Sequence, residues 1–148
     1  MYPNAKGSEL LAVLATLDPA AQAVGTASTG WISAANHHGL LAVIQTGVLG
    51  TAATVEAKLQ QALDATGTGA KDIAGRAITP IVKATGDNKQ ALINVRPEEL
   101  DTVNGFGFVR LSVTVGAAAS QTAAQVLGVN PRILPADAGN QAAVVQVV

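Results

Sequence analysis

Between Val109 and Val115 apolar and polar side chains alternate one for one, with Val109, Leu111, Val113 and Val115 set against Arg110, Ser112 and Thr114. On a helix successive members of that apolar set would point to opposite sides, whereas on a strand they share one face. Thr54 to Gln60 repeats the pattern, with Thr54, Glu56, Lys58 and Gln60 against Val55, Ala57 and Leu59. Ala91 to Arg96 puts Ala91, Ile93 and Val95 on one face and leaves Leu92 on the other. Leu40 to Thr46 is an almost unbroken apolar run, which predicts a strand covered on both sides. Between these runs lie turn residues: Gly47 and Gly50, Asp64 to Gly69, Thr85 to Asn88, and Gly116. Gly, Asn and Asp supply the backbone angles that tight turns need. Short strands at regular spacing predict an all-β chain, a single-domain antiparallel β-sandwich of jelly-roll type.

Two stretches are open to both periods. Ser8 is placed to cap a helix carrying Leu10, Val13, Leu14 and Leu17 and stopped by Asp18-Pro19, yet the same residues make an apolar strand. Ala117 to Val126 is alanine-rich and equally ambiguous. A sandwich needs partners for its edges, so strands are expected in both places. Asn130-Pro131 to Pro135 reads as a linker. The organisation expected is an N-terminal arm over residues 1–8, a sandwich over 9–132, and an extension over 133–148. That extension ends Val-Val-Gln-Val-Val, a β-prone segment without charge that is expected to pair as a strand, in its own sheet or a neighbour's.

Charge narrows the function classes. Nine basic and ten acidic residues make up only 13% of the 148, about half the usual share, and the net charge is −1. Such a balance offers no electrostatic footprint for nucleic acid. No stretch reaches the roughly 18 apolar residues of a membrane helix. Met1 to Ser8 lacks the basic-then-apolar pattern of a secretory signal, so a soluble protein made in a cytoplasm is expected. Cysteine is absent, which excludes disulfides and thiolate metal sites. A surface so poor in ions is poorly protected from association, which favours a subunit covered by partners.

Catalytic machinery is not recognisable, and no catalytic, metal or cofactor-binding residue is assigned. His37 and His38 are adjacent, so on an extended chain they point to opposite faces and do not chelate one metal together. Glu98, Glu99 and Asp101 follow Pro97 in what reads as an exposed loop. Asp64, Asp72 and Asp87 are scattered over turns without the spacing of a calcium site. Gly67-Thr68-Gly69 lacks the lysine of a phosphate loop, and Gly105-Phe106-Gly107 lacks the third glycine of a dinucleotide fingerprint. A sugar-binding module would want aromatic platforms. Trp31 is expected in the core, and Phe106 and Phe108 are expected to face inward together.

The stretch from Gly50 to Gly75, with Gln60 or Gln61, Asp64, Gly67 and the pair Asp72-Ile73 in order, resembles small virion structural proteins of tailed bacteriophages. The likeness continues through Lys89 to Arg96 and Phe108 to Val115, and ends near Val126 to Arg132. With Trp31-Ile32 and Leu40 to Gly47, it spans about Leu11 to Arg132. Its motifs are structural punctuation and bring no catalytic residues. The resemblance implies a β-sandwich subunit of capsid decoration or cement type, on the capsid surface, and not an enzyme. Its expected partners are its own copies, as a homotrimer, and the major capsid protein. Tail-tube, tail-terminator and head–tail connector subunits are the alternative, with a carbohydrate-binding module behind them. The expected inter-subunit contacts are Tyr2, Pro3, Val144, Val145, Val147 and Val148, at the two ends of the sequence. Residues 134–148 depart from the common pattern.

Overall fold

The computed structural model describes residues 4–148. Ten strands run through them: β1 (Leu11–Gln22), β2 (Gly25–Ser28), β3 (Ile32–Ser33), β4 (His37–Thr46), β5 (Thr54–Ala62), β6 (Lys71–Ala77), β7 (Ile81–Val82), β8 (Gln90–Val95), β9 (Phe108–Gly116) and β10 (Ser120–Pro131). Two one-turn helices, α1 (Gly7–Leu10) and α2 (Lys83–Gly86), and three 3-10 turns complete the chain. The strands form two antiparallel sheets, β1-β10-β4-β8 and β2-β9-β5-β6, with β3 added to β9 and β7 to β5.

Leaving aside the two-residue strands β3 and β7, the first strand pairs with the eighth, the second with the seventh, the third with the sixth and the fourth with the fifth. The chain is therefore one long antiparallel ribbon, rolled so that alternate pairs fall into opposite sheets. That is the jelly-roll form of the β-sandwich, and the fold expectation holds.

The period-two runs place the core. Val55, Ala57 and Leu59 of β5 and Val109, Leu111, Val113 and Val115 of β9 point inward from one sheet. They meet Leu40, Ala42, Ile44, Ile93, Val95 and Val126 from the other, all 5% exposed or less. The turn after β9 uses a positive φ at Ala117 (67°), so β10 begins at Ser120 and not earlier.

Both ambiguous stretches form strands as expected, β1 and β10, and three local readings need correction. Asp18-Pro19 does not end the first element, because β1 is an edge strand. Its pairing with β10 shifts register between Leu17 and Ala20, and an edge bulge accommodates a residue without an N–H. The helical alternative from Ser8 is confined to the single turn of α1, and from Leu11 onward the chain forms the strand expected there. The linker expected from Asn130 begins later, since β10 continues to Pro131 opposite His37. The strand expected at Gln141 to Val148 is not formed in the single chain. Ala136 to Gly139 is a 3-10 turn whose Ala136 is buried, Val144 N–H bonds back to Gln141 O at 3.0 Å, and no ladder follows. That hydrogen bond closes a turn, which carries the segment off β1 before a register can form.

Candidate functional site

The two outer sheet faces differ in chemistry, and the inward residues fix which side chains line each. In the six-stranded sheet, outward rows alternate with the buried ones. They read Thr26, Thr114, Glu56; then Ser28, Ser112, Lys58; then Arg110, Gln60, Asp72. Polar bonds tie the rows together. Arg110 Nε donates to Gln60 Oε1 at 2.9 Å, Gln60 Nε2 donates to Asp72 Oδ1 at 2.8 Å, and Lys58 Nζ reaches Asp72 Oδ2 at 2.8 Å. Lys58, and behind it Gln60, hold the Asp72 carboxyl below its ordinary pKa.

The aromatic residues among those described, Trp31, Phe106 and Phe108, belong to this outer side, contrary to expectation. Trp31 is half-buried, with the Arg110 guanidinium 4.6 Å from its ring centroid. Phe106 is also half-buried, with Lys71 Nζ at 4.1 Å from its ring. Phe108 alternates with the inward Val109 and so faces out as well. The reason is geometric: the inward slots opposite the four-stranded sheet are filled by medium aliphatics, so the large rings lie against the outer network. One face of the Trp31 indole is covered by a cation and is closed to a sugar ring.

In the four-stranded sheet the buried rows are Ala12, Gly128, Leu40, Val95; Ala15, Val126, Ala42, Ile93; and Leu17, Ala124, Ile44, Ala91. The rows between them face out: Leu11, Val129, Gly39; Val13, Leu127, Leu41, Asn94; Thr16, Gln125, Val43, Leu92; and Ala123, Gln45, Gln90. Seven of these are aliphatic, three are glutamine and one asparagine, and none is ionisable. Leu92 is 60% exposed and Leu11 40%. The Leu40 to Thr46 run was expected to be covered on both sides. The single chain covers one, leaving Leu41 and Val43 half-buried on the other.

Two adjoining hollows cross this outer face. One, of about 470 Å³, runs from Pro19 to Gln90 and Gln121, and the other, of about 240 Å³, from Thr16 and the exposed Asp18 to Val43 and Gln125. They share Pro19, Gln45 and Ala123. At the β1 edge the last part of the chain is pinned beside them. Asn140 Oδ1 accepts the Val13 N–H at 2.7 Å, Gln141 N–H donates to Val13 O at 2.8 Å, and Gln141 Nε2 donates to Thr16 Oγ1 at 3.2 Å.

The structure separates the other candidate residues. His37 is 5% exposed, its Nδ1 has no partner, and burial lowers its pKa. Its ring lies on the Cα of Gly128, where a Cβ would come within 2.4 Å of Nε2. His38 is exposed. Glu98, Glu99 and Asp101 take separate cations, Arg96, Arg76 and Lys71. Asp64 binds its own turn through Thr66 and Thr68, whose hydroxyls chiefly hold its carboxyl below the usual range. Asp72 and Asp87 pair with lysines instead of joining it. Among the described residues no cluster suited to a metal ion forms, and no helix is long and apolar enough to cross a membrane. Of the expected contacts, Tyr2 and Pro3 lie outside the described residues. Val144 is half-buried, while Val145, Val147 and Val148 are 92%, 49% and 101% exposed.

No protein-family model matches the sequence, and no curated protein matches it either. Among solved structures, a chain of the naturally occurring empty particles of Cowpea mosaic virus aligns over 88% of this chain and 95% of its own. Its TM-score is 0.46 at 11% identity. The C-terminal family 22 carbohydrate binding module of a Clostridium thermocellum protein aligns over 86% and 90%, at TM-score 0.40 and 12% identity. Broad Bean Stain Virus gives 0.39 at 11%, over 76% and 64%. These neighbours share a broad outline and transfer no role.

Proposed function

We propose that this chain is a structural subunit of a tailed-phage virion, of the capsid decoration or cement type, and that it performs no catalysis. It would be made in the cytoplasm of a bacterial host and sit on the capsid surface, bound to its own copies as a trimer and to the major capsid protein. One observation carries the reading: the outer rows of the four-stranded sheet are aliphatic and amide apart from the Thr16 hydroxyl, with no ion in any of them. A face of that kind is suited to being covered. A subunit held on a larger shell, among copies of itself, has it covered. The sequence resemblance points the same way.

Binding in this reading is mechanical. The subunit bridges neighbouring shell proteins and adds interface area that must be broken before the shell can open. A specific interface buries about 800 Å² on each partner. Two such contacts would hide about 1,600 Å² of the 7945 Å² this chain exposes.

The test uses heads of the encoding phage purified without this protein. Adding the chain should give saturable binding at symmetry-related sites on the outside of the shell, and raise the temperature at which heads release DNA. Heads that bind none of it would remove the decoration reading. Sixfold rings of the chain at the tail would replace it with a tail-subunit role.

A further inference from the structure

The ion-free face and the valine-rich end of the sequence meet at one edge, and neither is satisfied within a single chain. Asn140 and Gln141 anchor the end on Val13 and Thr16, two residues of the outer rows. The turn at Gln141 to Val144 then carries it away, so Val145 and Val148 stand almost wholly exposed while the chain's own hollows stay open. We propose that residues 142–148 of one copy occupy the two hollows on the four-stranded outer face of the next copy, and that this head-to-tail contact builds the oligomer. The inference rests on the virion-subunit reading only for the expectation that copies associate. The contact itself is argued from geometry.

Three observations select a second copy as the occupant. The first is chemical match. The segment from Ala142 to Val148 contains no ionisable side chain, and neither do the outer rows; of the residues that line the two hollows only Asp18 is ionisable, and it is exposed, so joining them leaves that one carboxylate to be kept in water at the rim. A partner carrying a charged surface would find only Asp18 to pair with.

The second is the kind of polar group present. Gln45, Gln90, Gln121 and Gln125 line the hollows. Neutral amides both donate and accept, which suits the N–H and C=O groups of an extended peptide laid between aliphatic walls.

The third is area. Four strands about 4.8 Å apart, with four outward rows along them, present a face of about 500 Å². That is short of the roughly 800 Å² per partner of a specific interface. An apolar arm beginning at its edge makes up the difference. Residues 141–148 extend to at most about 28 Å, enough to cross a neighbour's sheet. Because donor and acceptor surfaces differ, the contact is heterologous. It forms a ring where the rotation closes, and the expected trimer is such a ring.

The test uses the full chain and two variants at exposed positions, chosen so that folding is retained. One carries Gln45→Lys and Leu92→Lys on the face, and the other Val145→Asp and Val147→Asp in the arm. Native mass measurement and sedimentation should find the unaltered chain as a closed oligomer and each variant as a monomer. Self-association should be weakened at least about a hundredfold, because each docking now buries a charge. An equimolar mixture should form a species with one copy of each variant and no larger, since only one arm and one face remain intact. The proposal fails if the unaltered chain is monomeric at the highest concentration reached, if either variant keeps the oligomer, or if the mixture stays monomeric. Head binding separates it from the function above. An oligomer that ignores heads removes the decoration role and keeps this contact, while a monomer that binds heads does the reverse.

Discussion

Three successive rows on the outside of the six-stranded sheet carry hydroxyls, amides and ions joined by hydrogen bonds, while four rows on the outside of the four-stranded sheet carry aliphatics, amides and the single hydroxyl of Thr16, without an ion. The inner sides of the two sheets show no such division, since both are filled by valine, leucine, isoleucine and alanine. The difference teaches where each sheet finds its partner. An ion on an outer face is at home in water. A face carrying Leu11, Val13, Leu41, Val43, Leu92 and Leu127 keeps its apolar area unsatisfied until another surface arrives. On the contact proposed above, one sheet is finished when the chain folds and the other when copies meet.

The largest expected effect tests the symmetric half of the comparison. Leu111→Ala in the six-stranded sheet and Leu40→Ala in the four-stranded sheet remove side chains that are 0% and 2% exposed. Each should lower unfolding free energy by about 2–5 kcal/mol in urea titrations. A loss below about 1 kcal/mol at either position would show that one inner side is not packed as described.

The next effect lies on the polar outer face. Gly67 has φ +88°, and a Cβ there would stand 2.4 Å from Trp31 Nε1. Gly67→Ala must both strain the turn and displace the indole, so it should cost about 1–3 kcal/mol. Trp31 fluorescence should shift as the ring leaves the Arg110 guanidinium. Unchanged fluorescence with unchanged stability would mean that the indole is not held there.

These residues also mark what the sequence disclosed. Strands β5, β8 and β9 were legible because alternation is the direct imprint of one buried face, and β4 because an almost unbroken apolar run lies between turn residues. The jelly-roll class followed from their spacing. Strands β2 and β6 were not legible: Gly25 to Ser28 is four residues long, and Lys71 to Ala77 buries only Ile73. The aromatic placements were missed because size favoured burial, whereas the cations that hold Trp31 and Phe106 outside, Arg110 and Lys71, lie 79 and 35 positions away in sequence. The outer face of β4 was misread for a physical reason. A continuous apolar run announces that both sides are to be covered, without saying whether the second cover comes from the same chain.

Acid should act on one face and spare the other. Lys58 and Gln60 depress the Asp72 pKa, and the Arg96 N–H and Arg76 do so for Glu99. A carboxylate depressed in the folded state contributes stability above its unfolded pKa, near 3.8 for Asp72 and 4.5 for Glu99. That contribution is lost as pH falls through the folded value. Lys58 and Asp72 are 42% and 54% exposed, so solvent screens the pair and Lys58→Ala should cost no more than about 0.2–1 kcal/mol at pH 7. As pH falls through the folded value of Asp72, which lies below 3.8, that cost should vanish. The four-stranded outer rows contain nothing that titrates, and self-association through them should hold steady from pH 8 to pH 5.

The smallest effect on stability is the most informative about the contrast. Leu92 is 60% exposed on the edge strand β8, so Leu92→Lys should change the stability of the isolated chain by less than about 0.5 kcal/mol. Moving the same substitution one residue, to Ile93→Lys, places the ammonium among buried aliphatics, where Ile93 is 5% exposed, and should unfold the sheet. The pair therefore reads the orientation of β8 directly, independently of any oligomer. If Leu92→Lys unfolds the chain while Ile93→Lys is tolerated, the register of β8 on β4 is reversed. The ion-free rows would then be core, and the six-stranded face would be left as the only outer surface to which a partner could bind.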